Sequence, residues 1–218
     1  MNKRLVTLAL CIIVGVLLAD QALKFWIKTH LLIGEQIPII NNFFMLHFTE
    51  NNGMAYGIEF GGIIGKYFLS VFRIIAIVGF IWWLRDLIKK NAHWTAVATV
   101  SLIMVGALGN VIDCAFYGLW FNESFSQVAT FMPKDGGYAG LLQGQVVDML
   151  YFPVIQGHYP SWSPIYAGEE LVFFSFIFNI ADAAISVGGA FLILNQKHLF
   201  AEKEIEQPII TDTKIVEN

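Results

Sequence analysis

Charge is scarce in this chain. Only 14% of its 218 residues are charged, while 56% are hydrophobic. Soluble domains carry about a quarter charged residues, so an ordinary water-soluble fold is excluded. Cysteine is equally scarce, with two residues in all. Cys11 lies inside one apolar run and Cys114 just past the end of another. A bridge needs α-carbons within about 7 Å, so a disulfide framework is excluded and both thiols are expected to be free. There is no His-Glu-x-x-His helix, which leaves a zinc protease unsupported. Neither a Gly-x-Ser-x-Gly elbow nor a phosphate loop is present. The net charge of -4 offers no footprint for nucleic acid. Nothing in the pattern demands a metal or an organic cofactor.

What the chain does have is long hydrophobic runs. A helix needs roughly 20 apolar residues to cross a bilayer. Four stretches approach this, at about residues 5–26, 63–84, 94–113 and 171–194. Residues 1–200 therefore read as one integral membrane domain, and 201–218 as a polar cytoplasmic tail. Lys3 and Arg4 precede the first span, Arg85, Lys89 and Lys90 separate the second from the third, and Lys197 and Lys203 follow the fourth. Basic residues concentrate on the cytoplasmic side, so both termini are expected there. The first span has no small-residue cleavage site before Asp20 and Lys24, which favours a retained anchor over a removable signal peptide.

The loops between spans are uneven. Residues 36–60 carry short β-prone runs broken by Asn41-Asn42 and Asn51-Asn52-Gly53, which predicts a small outward-facing sheet. Residues 114–170 form a long outward loop rich in glycine, proline and aromatics. The expected fold is an all-α membrane protein of four transmembrane helices, with a small β-sheet cradle and long loops outside.

Polar residues inside apolar runs are the functional signal, because each costs several kcal/mol unless it is paired or protonated. Asn179, Asp182 and Ser186 recur at helical spacing in the last run. Gly106, Asn110 and Asp113 share a face at the end of the third. Asp20 and Lys24 stand one turn apart in the first, and read alone they make an interfacial ion pair. Arg73 falls halfway along the second, as internal helix glue with a carboxylate or carbonyl partner. Asp148 sits in the hydrophobic island Gly144–Phe152, either facing solvent from a strand or buried for a purpose. This inventory is carboxylates and amides. Two carboxylates sharing one proton can split a peptide bond, one activating water and the other protonating the carbonyl or the leaving amine. A small proton-coupled transporter also uses intramembrane acids, although no internal repeat is visible here.

Five blocks occur in order: Asp20 with Lys24, Asn51-Asn52-Gly53-Met54-Ala55-Tyr56, Gly106–Asp113, Val146-Val147-Asp148 and Phe178-Asn179-Ile180-Ala181-Asp182. Together they resemble the bacterial lipoprotein signal peptidase (signal peptidase II) family over roughly residues 5–194. The resemblance implies a globomycin-sensitive aspartic endopeptidase of the bacterial inner membrane, working as a monomer among membrane lipids. It implies removal of the signal peptide from diacylglyceryl-modified prolipoproteins, with the cut just before the lipidated cysteine. By the same match Asp148 and Asp182 are the catalytic pair. Asp20, Lys24, Asn51, Gly53, Gly106, Asn110, Asp113 and Asn179 then line or brace the site, and the Asn51–Tyr56 turn helps cradle the substrate. One departure concerns substrate holding. The family usually has arginine directly after Asp113, and Cys114 stands there instead, with Lys134 a substitute by charge. A second is that the loops flanking Asp148 are longer than the family norm. If the fourth span begins at 171, Asp182 falls near mid-bilayer, so residues 172–176 are expected to be helix at or above the headgroups.

Overall fold

The computed structural model describes residues 2–41, 43–51, 62–153, 155–158, 160–166, 168–173, 176–194 and 196. Its elements are helix α1 (Lys3–His30), strands β1 (Gln36–Ile40) and β2 (Phe44–Asn51), helices α2 (Gly62–Lys89) and α3 (Trp94–Ile112). A π-helical turn, Asp113–Tyr117, and the one-turn helix α4 (Gly118–Trp120) extend α3. Strands β3 (Val146–Tyr151), β4 (Ile155–His158), β5 (Glu170–Phe173) and β6 (Ile177–Phe178) precede helix α5 (Ile180–Leu194).

Among the described residues, three helices are long and apolar enough to cross a membrane: Lys3–His30, Ile64–Lys89 and Trp94–Trp120. The third is the centre of the bundle. Within its most apolar stretch 67% of residues are buried, against 17% and 11% in the other two. α3 packs against α1, α2 and α5. α2 is the most lipid-like in exposure: Phe68, Ile75 and Trp82, seven residues apart, turn one bare stripe outward. Such a stripe suits acyl chains, not water.

Helix α3 meets α5 through small residues. A Cβ added at Gly106 would collide with the Ala181 carbonyl, and one at Gly109 would lie 2.8 Å from Asp20 Oδ2. Glycine at both positions lets the backbones approach closely where no hydrophobic effect drives helices together.

The sheet is larger than the sequence suggests. β1, β2, β3 and β6 form one antiparallel sheet in that order, and β4 pairs with β5 in a second. The stretch expected to be one long loop therefore supplies β3 and β4. Register places Thr49 opposite Asp148, Glu50 opposite Val147 and Asn51 opposite Val146. Side chains alternate faces along a strand, so Asn51, Val146 and Asp148 share one face and Glu50 and Val147 the other. The second face closes over a cluster of Ile27, Phe48, Tyr117, Phe121, Val147 and Met149.

The last apolar run departs most from expectation. Residues 170–173 and 177–178 are strands, not helix, and α5 starts only at Ile180. Its 15 described residues rise about 22 Å, short of a full hydrocarbon layer of about 30 Å. The reason is local. Asn179 and Asp182 form a reciprocal helix start, with Asp182 N donating to Asn179 Oδ1 (2.9 Å) and Asn179 N donating to Asp182 Oδ2 (3.4 Å). Such a box fixes the first turn, which places Asp182 near a helix end and not at mid-span. The tail 201–218 and Gly53 with the rest of its turn lie outside the described residues.

Replacing Gly106 with alanine is expected to destabilise the bundle by about 1–3 kcal/mol, because the methyl group meets backbone that cannot yield. Gly79→Ala, where a Cβ meets nothing within 4 Å, is expected to be neutral or slightly stabilising. Unfolding in detergent, followed by circular dichroism, compares the two.

Candidate functional site

The site forms where the α1 and α3 C-terminal ends meet the α5 N-terminus and the Asn51–Asp148 face of β2 and β3. Its base is an ion cluster. Lys24 Nζ lies 2.9 Å from Asp20 Oδ2 and 2.7 Å from Asp113 Oδ2, with all three side chains almost wholly buried. The Asp20–Lys24 pair is thus an internal brace, not an interfacial pair that reaches for water. Gln21, one residue after Asp20, donates to Asp113 Oδ1 (2.9 Å) and to Asp20 Oδ2 (3.1 Å). Asp20 Oδ1 accepts from Ala181 N (2.9 Å), which satisfies one otherwise orphan donor of the α5 N-terminus.

From this base an amide relay runs to the two remaining acids. Lys24 donates to Asn110 Oδ1 (3.0 Å), and Asn110 Nδ2 donates to Asp182 Oδ1 (2.8 Å). Lysine has no acceptor, so the Asn110 oxygen faces it and the amide nitrogen turns to Asp182. Asn179, fully buried, spends its Nδ2 on Asp148 Oδ1 (2.7 Å), Asn110 Oδ1 (3.1 Å) and the Val147 carbonyl (3.4 Å). The same residue caps Asp182. One asparagine therefore joins the Asp148 and Asp182 carboxyls.

Asp148 is buried in β3, which decides between the two readings of its hydrophobic island. Its other oxygen, Oδ2, accepts from the side chain of Asn51. Asn51 opposes Val146, two residues before Asp148, so the contact is a diagonal cross-strand pair on one face. Burial pushes the Asp148 carboxyl up to about 7, and the neighbouring Asp182 charge adds to this, while the Asn179 hydrogen bond pulls the other way.

The structure thus gathers Asp20, Lys24, Asn51, Asn110, Asp113, Asp148, Asn179 and Asp182 into one network, with Gly106 as the close contact behind it. Gly53 lies outside the described residues, and Ser186 is exposed on α5, away from the network. Gln21, Lys28, Glu50 and Ser124 were not anticipated. The signal for Lys28 was its i,i+4 spacing from Lys24 on the face that begins with Asp20. Cys11 and Cys114 are free thiols, as expected. Arg73 Nη1 reaches Cys114 Sγ (3.7 Å), so a guanidinium from α2 stands beside the residue after Asp113. Lys134 is exposed in its loop.

A family model described as signal peptidase (SPase) II matches residues 12–197. The chain belongs to the signal peptidase II family. It is 46% identical to a lipoprotein signal peptidase of Porphyromonas gingivalis over 184 residues, covering 84% of this chain and 80% of that one. A lipoprotein signal peptidase of Amoebophilus asiaticus is 34% identical over 210 residues, covering 91% and 82% respectively. Among solved structures, a bacterial membrane enzyme determined by the in meso method shares the fold, with a TM-score of 0.56 and 24% identity. That match covers 91% of this chain and 93% of the other. A second in meso structure of a bacterial membrane enzyme gives 0.54 at 24% identity. Family membership makes this a multi-pass membrane protease of lipoprotein processing, which removes signal peptides from prolipoproteins. The transporter alternative falls away with it.

Lys24→Met is expected to cost about 3–5 kcal/mol, because it strands two buried carboxylates beside each other. The exposed Lys90–Asp86 pair (2.7 Å) is the control, and Lys90→Met is expected to change stability by less than about 1 kcal/mol. Denaturant titration in mild detergent reads both.

Proposed function

We propose that the chain is an aspartic endopeptidase in which Asp148 and Asp182 divide the chemistry, cutting just before a diacylglyceryl-modified cysteine. The observation that carries this reading is that one residue, Asn179, donates to both carboxyls, from its side-chain Nδ2 to Asp148 Oδ1 and from its backbone N to Asp182 Oδ2. Asp148, raised to about 7, is the member of the pair that carries the shared proton below that pH, and Asp182 is the base. Asp182 takes a proton from water as the oxygen adds to the scissile carbonyl carbon. Asp148 gives its proton to the carbonyl oxygen, producing a neutral tetrahedral diol. Collapse breaks the C–N bond, with one proton passing to the departing amine and one returning to the pair. The Asp20–Lys24–Asp113 cluster sets the field and the geometry without touching the substrate.

Arg73, beside Cys114, supplies the cation that holds substrate carbonyls, in place of an arginine after Asp113. The lipid chains contribute binding at about 0.8 kcal/mol per buried methylene. Membrane topology follows the basic residues, with both termini in the cytoplasm and the sheet outside the inner membrane. A monomer suffices, and globomycin-type inhibitors would occupy the same site.

The test is cleavage of a diacylglyceryl-modified prolipoprotein by purified protein. Asp148→Asn and Asp182→Asn, each folded by circular dichroism, are expected to lose at least about a thousandfold in kcat, the scale of acid–base catalysis. Unlipidated precursor is expected to remain uncut. Survival of activity in either variant would show that the acids have been paired wrongly.

The pH dependence has a definite sign. A carboxyl raised to about 7 is protonated below that value and ionised above it, so the acid for the carbonyl oxygen disappears as pH rises. kcat/KM is therefore expected to fall above pH 7, and a profile between pH 5 and 9 checks it.

A further inference from the structure

Beneath the sheet, on the face opposite the acids, lies a second buried charge cluster that the peptide-cutting scheme does not use. Lys28, fully buried, contacts Glu50 Oε1 and donates to Ser124 Oγ (2.7 Å). Ser124, also fully buried, donates in turn to Glu50 Oε1 (3.2 Å). The Lys28 ammonium sits over the rings of Phe121 (5.4 Å) and Tyr138 (5.0 Å), a dry and electron-rich seat for a cation. Three separate parts of the chain meet here: α1, the end of β2 and the loop after α4.

The placement along β2 gives the cluster its meaning. Glu50 and Asn51 are consecutive, so their side chains leave opposite faces of the strand. Glu50 is tied down below while Asn51 reaches Asp148 above. Asn51 is also the last residue of β2, where a strand end frays unless something holds it. A buried ion pair with a hydroxyl in its centre is a strong tether, since breaking one partner leaves a buried charge uncompensated.

We propose that Lys28, Glu50 and Ser124 are positioning residues for the reaction: they clasp the end of β2 from below and so aim the Asn51 amide at Asp148. The long loop after α3 then has a task, because it delivers Ser124 and the rings of Phe121 and Tyr138 to the clasp. This rests on Asp148 and Asp182 being the catalytic pair.

The clasp predicts coupling, which a general packing role does not. In the full-length protein in lipid nanodiscs, with a diacylglyceryl-modified prolipoprotein as substrate, Glu50→Gln, Lys28→Met and Ser124→Ala are compared with Asn51→Ala. Each is expected to lower kcat about tenfold, the scale of one lost hydrogen bond to a charged group, with KM within about twofold. Asn51 donates to the ionised form of Asp148, so losing that bond raises the carboxyl's pKa. The alkaline fall of activity then moves to higher pH in all four variants. The other charged groups facing Asp148 are Asp182 on α5, Lys24 on α1 and Asp113 at the end of α3, and all three are unchanged in these variants. The position of that limb does not depend on how much protein is folded.

In an Asn51→Ala background, Glu50→Gln is expected to add nothing to kcat or to the limb. A full tenfold further loss there, or a limb left at its wild-type position, would overturn the clasp. Asp148→Asn and Asp182→Asn run in the same assay. If they cut normally the catalytic pair itself is wrong and the clasp falls with it, whereas if they are inert the coupling result alone decides.

Discussion

A lysine buried between two aspartates holds this molecule together. Lys24, without exposed surface, contacts Asp20 and Asp113 and reaches Asn110. Three charges in a dry setting would each be costly alone, and together they leave a single net negative charge spread over strong hydrogen bonds. Because Asp20 also receives Ala181 N, and Asp113 also receives Val147 N, the cluster ties α1 and α3 to α5 and to β3. Each of those elements carries a residue that touches or orients Asp148 or Asp182. The stability of the bundle and the geometry of the proposed chemistry are therefore set by the same bonds.

Asparagine has a particular use in this arrangement. An amide carries donor and acceptor at fixed spacing and no charge, so it can stand beside ionised acids without adding repulsion. Asn110 converts the fixed polarity of Lys24 into a donor for Asp182. Asn179 closes the first turn of α5 and bridges Asp182 to Asp148. Asn51 brings a donor from the sheet. Of the three, Asn51 alone depends on a strand end, which is why a tether beneath that strand matters.

The start of α5 is set by a local polar motif and not by the length of the apolar run around it. An apolar run from 171 to 194 is long enough to span a bilayer, and periodicity alone cannot separate a buried strand from a helix in such a run. Asn179-Ile180-Ala181-Asp182 has the spacing of a helix start, and given that weight it places the boundary at 180. Asn179 and Asp182 belong at once to this helix start and to the polar stripe that marks the chemistry. The sheet was underestimated for a related reason. β3 and β6 pair with strands far away in sequence, and no local pattern specifies such partners.

The amino-acid sequence by itself determined the solvent, the family and the order of the polar blocks. Each rests on composition or on short-range spacing: scarce charge excludes water as the solvent, and five ordered motifs identify a signal peptidase II. Which groups meet was decided by the tertiary structure. Burial turned Asp20–Lys24 from a surface pair into a brace, because Asp113 arrives from another helix 89 residues on from Lys24. Chain closure brought Arg73 to Cys114 and Ser124 to Lys28 and Glu50. Long-range electrostatic partners are selected by packing geometry, and packing geometry is a property of the whole chain.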